Sequence, residues 1–209
     1  MTALWLPDQH IVFIGDSITD SGRRAAHQPY GDGYVSIVRD RTTARHPNLR
    51  LRWTNRGVNG DTVRDLAARW DEDALAPAPD WLSVMIGIND IGRWFEGQHD
   101  KAVPLDEYER TLHDLLHRAV TATGCRLILA DPYLIESDRT DARLVQTIRY
   151  GEVVAALAKE FDAVHVRTQE AFDRVLEGSA PQDWAGDRVH PNPEGRAVIA
   201  EAFLAAVGI

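Results

Sequence analysis

Short runs of apolar residues alternate along the chain with longer stretches in which apolar positions recur every three or four residues. The runs at 10–14, 49–55, 80–86, 125–130 and 163–167 predict five strands. Between them, Leu105, Tyr108, Leu112, Leu115, Leu116 and Ala119 share one helical face. The same spacing joins Tyr150, Val153, Val154, Leu157, Ala158 and Phe161, and in the last segment Val198, Ile199, Ala202, Phe203 and Ala206. Helices are also predicted over 33–45 and 61–70, the second opening on the acidic side chain that a helix start favours. The stretch 71–80, with Pro77 and Pro79, reads as a helix exit into the third strand.

Strand and helix taking turns argues for βαβ units, because parallel neighbours need a crossover and a helix usually supplies it. The expected fold class is therefore α/β, a parallel sheet between helical layers. With 209 residues, 44% of them hydrophobic, one sizeable core and a single domain over 1–209 are expected. Helix-covered sheets take ligands beyond the carboxyl ends of their strands. The residues just after each predicted strand are thus where chemistry is expected.

Four such places stand out. After the first strand, Gly15-Asp16-Ser17 presents a hydroxyl at the sheet edge, a position that suits a nucleophile and equally suits a helix cap. After the second, Gly57-Val58-Asn59-Gly60-Asp61 leads into a helix, where the Gly60 amide is free to approach an anion. It is also an ordinary Asn-Gly turn. After the third, Gly87-Ile88-Asn89-Asp90 offers an amide side chain able to donate to a developing negative oxygen. Beyond the fifth and before the last helix, Asp187 and His190 lie three positions apart in a loop. A hydroxyl, an imidazole, a carboxylate and independent donors together make up the parts for acyl transfer through a tetrahedral intermediate. In that reading Ser17 attacks, His190 moves the proton, Asp187 orients the ring, and the oxyanion is held by the backbone N–H groups of Ser17 and Gly60 and the amide of Asn89.

Composition narrows the partners. The 32 acidic against 23 basic residues give a net charge of −9, which disfavours nucleic acid and anionic membrane surfaces and leaves a neutral small molecule unopposed. The single cysteine, Cys125, rules out an internal disulfide framework and is read as a buried core residue. The other seven histidines are scattered without metal-site spacing, so neither metal nor organic cofactor is expected. The opening MTALWLPDQH has neither a basic start nor a long apolar stretch, and a cytoplasmic protein is expected.

The blocks Gly15-Asp16-Ser17, Asn59-Gly60-Asp61-Thr62, Gly87-Ile88-Asn89-Asp90 and Asp187-Arg188-Val189-His190-Pro191 resemble, in order and over nearly the whole chain, those of the SGNH (GDSL) hydrolases. The resemblance implies a three-layer α/β/α flavodoxin-like fold with a five-stranded parallel sheet, and the roles given above for Ser17, Gly60, Asn89 and His190. The stretches Gly33-Tyr34-Val35, 62–70, 79–90, Leu105-Asp106-Glu107-Tyr108-Glu109 and 184–191 are most similar to intracellular carbohydrate acetylesterases, in particular acetylxylan esterases. That likeness implies deacetylation of sugars without a cofactor, by a homo-oligomer. In such relatives an aromatic directly precedes the triad acid. Here Gly186 does, with Trp184 two residues before it.

Trp94, Tyr133 and Trp184 are candidate substrate contacts, with ordinary packing an equal reading for each. Arg93 and Arg188 could touch substrate, with solvated surface charge the preferred reading for each. Other acyl substrates, such as thioesters or lysophospholipids, would use the same catalytic set. A non-catalytic carbohydrate-binding module would be expected to lack Ser17 or His190, and both are present. A flavin or nucleotide binder would have phosphate facing Asp16 and Asp20.

Overall fold

In a computed structural model, which describes residues 4–209, five strands form one parallel sheet in the order β2-β1-β3-β4-β5. They are β1 (His10–Gly15), β2 (Arg52–Gly57), β3 (Trp81–Met85), β4 (Arg126–Ala130) and β5 (Val164–Val166). Residues 1–3, where the stretch read for a leader begins, lie outside the described region. Eight helices accompany the strands: α1 (Ser17–Asp20), α2 (Tyr34–Arg45), α3 (Val63–Trp70), α4 (Ile88–Phe95), α5 (Leu105–Thr123), α6 (Ala142–Glu160), α7 (Thr168–Leu176) and α8 (Pro193–Val207).

Alternation along β1 divides the core into two layers. Ile11 and Phe13 face Tyr34 and Val38 of α2, Phe172 of α7 and Phe203 of α8, whereas Val12 and Ile14 face Leu66 and Trp70 of α3, Leu112 and Leu116 of α5 and Val154 of α6. Both faces of the sheet are thus covered, the three-layer α/β/α arrangement, and β1 is buried at every position. Local chemistry sets where helices begin. Thr62 and Asp65 form a reciprocal capping box on α3, Asp141 accepts from the amides of Arg143 and Leu144 at the start of α6, and Asn192 precedes Pro193 and accepts from Gly195 N at α8.

The path from β1 to β2 runs to one side of the sheet, and the chain then returns past β1 to place β3 on its other side. That reversal opens a crevice between the loops that follow β1 and β3, where open α/β sheets bind their ligands. Gly15 lies in register with both Gly57 and Met85, so three neighbouring strands end at one level and release their loops side by side.

Some boundaries differ from expectation. The predicted strand at 49–55 starts later, at Arg52, because Pro47–Leu49 forms a tight helical turn and Arg50 adopts a left-handed conformation with φ 46°. Leu49 earns its apolar character by burial beneath that turn. The helix at 61–70 is prolonged by a wide turn over Asp71–Leu75 before the third strand. Helices α4 and α7 were not expected, since each is under three turns long and has too few apolar repeats to declare a period.

Candidate active site

The hydroxyl of Ser17 stands at the first turn beyond β1. Asp16 holds it there as the cap of α1, its Oδ1 accepting from the amide of Ile18 at 3.0 Å. Nε2 of His190 lies 2.9 Å from Ser17 Oγ, and Nδ1 of the same ring lies 2.6 Å from Asp187 Oδ2. The other oxygen of Asp187 accepts from the amides of Val189 at 3.0 Å and His190 at 2.8 Å, which closes the loop around the carboxylate. Partial burial pulls the Asp187 carboxyl upward, but the hydrogen bonds from the His190 ring and from both amides outweigh it and hold the group down at about 2. Ionised Asp187 keeps the proton on Nδ1, which leaves Nε2 as an acceptor for the Ser17 hydroxyl.

The loop bearing Asp187 and His190 is braced from below and from both sides. Arg188 donates to Glu136 at 2.6 Å and to Asp141 at 3.0 Å, and its carbonyl accepts from the amide of Ile135 at 2.9 Å. The hydroxyl of Tyr133 donates to the carbonyl of Val189 at 3.1 Å. Trp184 is half-buried, with Nε1 donating to Ser179 Oγ at 2.7 Å and its carbonyl accepting from Asn192 N at 2.8 Å.

On the opposite side of Ser17, the loop after β2 is tied to its neighbours by hydrogen bonds. Val58 N donates to Gly15 O at 3.0 Å, and Asn59 N donates to Asp20 Oδ2 at 3.2 Å. Gly60 has φ +86°, a left-handed conformation that costs a side-chain-bearing residue about 1 kcal/mol or more. Nδ2 of Asn89, in the first turn of α4, donates to the carbonyl of Asp61 at 2.9 Å, and its second N–H meets no acceptor among the described residues. Arg69 gathers the strand ends, donating to Asp61 at 2.7 Å, to Arg56 O at 2.8 Å and to Gly15 O at 3.0 Å.

Two carboxyls beneath this floor are almost wholly buried. Burial pushes Asp16 and Asp90 up to about 7 each, against the opposing pull of the amides of Ile18 and Val63. Beside Ser17 and His190 lies a cleft of about 260 Å³ bordered by Ser21, His27, Asp32, Tyr34 and Arg196. It falls below the roughly 300–1,000 Å³ of sites for drug-sized ligands.

The structure joins Ser17, Asp187 and His190 by direct hydrogen bonds and links the Gly60 and Asn89 loops through Asp61. Three readings need correction. Tyr133 is fully buried and stacks 4.6 Å from Phe172, so it supports the loop from within the core and has no surface to offer a substrate. Arg188 is engaged by two carboxylates, and Arg93 donates to Gly60 O at 3.3 Å, so neither is a free surface charge. Trp94 is 58% exposed and lies 4.2 Å from the His99 ring, bordering a separate groove with Phe95, Val103 and Tyr150. Sequence reasoning missed Asp16 and Arg69 as site-building residues. Asp16 sits inside the first block, while Arg69 lies on a predicted helix with no local signal.

Residues 13–198 match the sequence profile of the GDSL-like Lipase/Acylhydrolase family. The chain is 42% identical over 208 residues to an acetylxylan esterase of Geobacillus stearothermophilus, a match covering 96% of this chain and 94% of that protein. A crystal structure of an acetylxylan esterase from the same organism is similar with a TM-score of 0.93 at 41% identity, covering 98% of this chain and 96% of that one. An alpha/beta hydrolase enzyme from the metagenome of Lake Arreo, Spain, is similar with a TM-score of 0.94 at 40% identity, covering 99% and 98%.

Proposed function

The chain belongs to the GDSL-like lipase/acylhydrolase family and is a carboxylic ester hydrolase, and from that premise we propose that it removes acetyl groups from xylo-oligosaccharides or related sugars through an acyl-enzyme on Ser17. The observation that carries this reading is the unbroken chain of hydrogen bonds from Ser17 through His190 to Asp187, set at the crevice between the loops after β1 and β3.

His190 takes the Ser17 proton as Oγ attacks the ester carbonyl, and Asp187 stabilises the imidazolium that forms. The negative charge on the former carbonyl oxygen is met by the amides of Ser17 and Gly60 and by the free N–H of Asn89. Collapse of the intermediate breaks the bond to the sugar oxygen, which takes the proton from His190 Nε2 and leaves as a hydroxyl. Water then follows the same path in reverse and frees acetate, and no cofactor is required. The small cleft beside Ser17 supports a short acyl group over a long one.

Among the described residues no helix is long and apolar enough to cross a membrane. The exposed side chains of Trp94, Phe95 and Val145 support self-association, which light scattering tests. The whole described chain acts in this reading as one catalytic domain. The substrate assignment is tested by comparing acetate release from acetylated xylo-oligosaccharides with hydrolysis of simple esters of rising chain length. A steep loss of rate beyond acetyl is expected. Efficient octanoyl or thioester cleavage would move the substrate to another acyl class.

A further inference from the structure

Among the described residues the side chain of Arg143 has no hydrogen-bond or ion-pair partner. It lies in the first turn of α6, its Nε is buried with nothing to donate to, and neither terminal nitrogen donates to any described residue. Among the described residues no carboxylate comes within ion-pair distance of it, whereas its neighbour in charge, Arg188, is held by both Glu136 and Asp141. Burial lowers the pKa of the guanidinium, and the charges of Glu96, Arg188, Asp187 and Asp141 all act on it. A partly buried cation with open donors is costly to maintain unless something supplies acceptors.

Its position indicates what that is. A side chain at Gly92 would place its Cβ 2.8 Å from Arg143 Nη2, so the guanidinium rests on the bare backbone of α4 at that point. Glycine inside a helix costs about 1 kcal/mol relative to alanine, and here it makes room for the guanidinium. Gly92 lies three residues after Asn89, on the same side of α4. On the other side, Asp141 ties the beginning of α6 to Arg188, the residue after Asp187. The guanidinium therefore sits between the helix that carries the Asn89 amide and the loop that carries Asp187 and His190.

Glu96, Asp187 and Asp141 act on Arg143 from a distance without pairing with it, and their negative charge would repel an anionic ligand, which favours a neutral acceptor. We propose that Arg143 is a specificity-determining residue whose terminal nitrogens donate to hydroxyl oxygens of the sugar bearing the ester. The inference rests on the sugar-ester reading of the site above. It separates two tasks: Ser17, His190 and Asn89 act on the ester group common to all substrates, and Arg143 reads the alcohol to which it is attached.

The test is a ratio. For wild type, Arg143→Gln and Gly92→Ala, kcat/KM is measured on an acetylated xylo-oligosaccharide and on an aryl acetate whose alcohol bears no further hydroxyl. Losing a charged donor to a hydroxyl is expected to lower the sugar-to-aryl ratio about 10- to 100-fold in Arg143→Gln. Gly92→Ala keeps the arginine but displaces its head, and is expected to lower the ratio in the same direction, with the pH profile on aryl acetate retained. An unchanged ratio in Arg143→Gln, or an equal fall on both substrates with a displaced pH profile, overturns the proposal and makes the residue a structural support of Asp187. Wild type that hydrolyses aryl acetate but no sugar acetate overturns the sugar-ester reading itself, and the role of Arg143 with it.

Discussion

Nε2 of His190 lies 2.9 Å from the hydroxyl of Ser17 although 173 positions separate the two residues. One leaves the end of the central strand and the other precedes the last helix, and α2 packs against α8 across the same face of the sheet. Packing remote from the chemistry therefore sets the contact on which proton transfer depends.

Replacing Ser17 by alanine removes the proposed nucleophile from a partly open site without disturbing the core. Turnover on an acetyl ester is expected to fall at least 10⁴-fold, while circular dichroism and the melting curve stay close to wild type. Retained turnover would show that another residue forms the acyl-enzyme.

Asp187→Asn keeps the shape but reverses the hydrogen bond that fixes the ring. By analogy with the corresponding change in serine proteases, kcat is expected to drop by about 10⁴. The carboxyl is lowered to about 2 in the folded protein against about 3.9 when unfolded. Its contribution to stability is then present above the unfolded value and lost as pH falls from about 4 toward 2. The difference in unfolding free energy between wild type and Asp187→Asn should shrink across that window, as followed by urea titration.

Asn89→Ala removes one proposed oxyanion donor and one hydrogen bond to Asp61 O. A loss of about 10²–10³ in kcat is expected, with KM changed far less. A rise in KM with normal kcat would instead make Asn89 a ground-state contact.

Asp16 carries the opposite sign of linkage. Raised to about 7 by burial, it binds its proton more tightly folded than unfolded, so stability declines as pH rises from about 4 through 7. Asp16→Asn can still cap α1 through its side-chain oxygen and carries no charge. The variant is expected to gain stability over wild type between pH 5 and pH 8, measured by denaturant midpoints. A difference independent of pH would contradict the buried-acid assignment.

Tyr133→Phe tests the support beneath the loop. It deletes the donor to Val189 O inside the core and should cost about 1 kcal/mol of stability. Because the ring remains, an activity loss under tenfold is expected, without selectivity between sugar and aryl esters.

Strand existence, the α/β class and the positions of Ser17, Gly60, Asn89, Asp187 and His190 were legible because each is carried by consecutive residues: an apolar run, then a glycine or a polar group at its end. The start of β2 was obscured because Leu49 is apolar for burial under a turn and not for pairing in a strand. Tyr133 was misread because an aromatic after a strand has the same local pattern whether it turns into the core or out to a ligand. Arg93 and Arg188 were misread for a related reason, as their partners Gly60, Glu136 and Asp141 lie 33 to 52 positions away.

The sequence by itself determined which candidate groups this enzyme offers for chemistry and that they stand at strand ends, since periodicity and turn chemistry act over a few neighbouring residues. Only the tertiary structure decided that these ends share one level of the sheet, that burial raises Asp16 and Asp90 while hydrogen bonds lower Asp187, and that the Nε of Arg143 is buried with no acceptor among the described residues. Distance, desolvation and the absence of a partner are properties of residues brought together across the chain, and no local pattern encodes them.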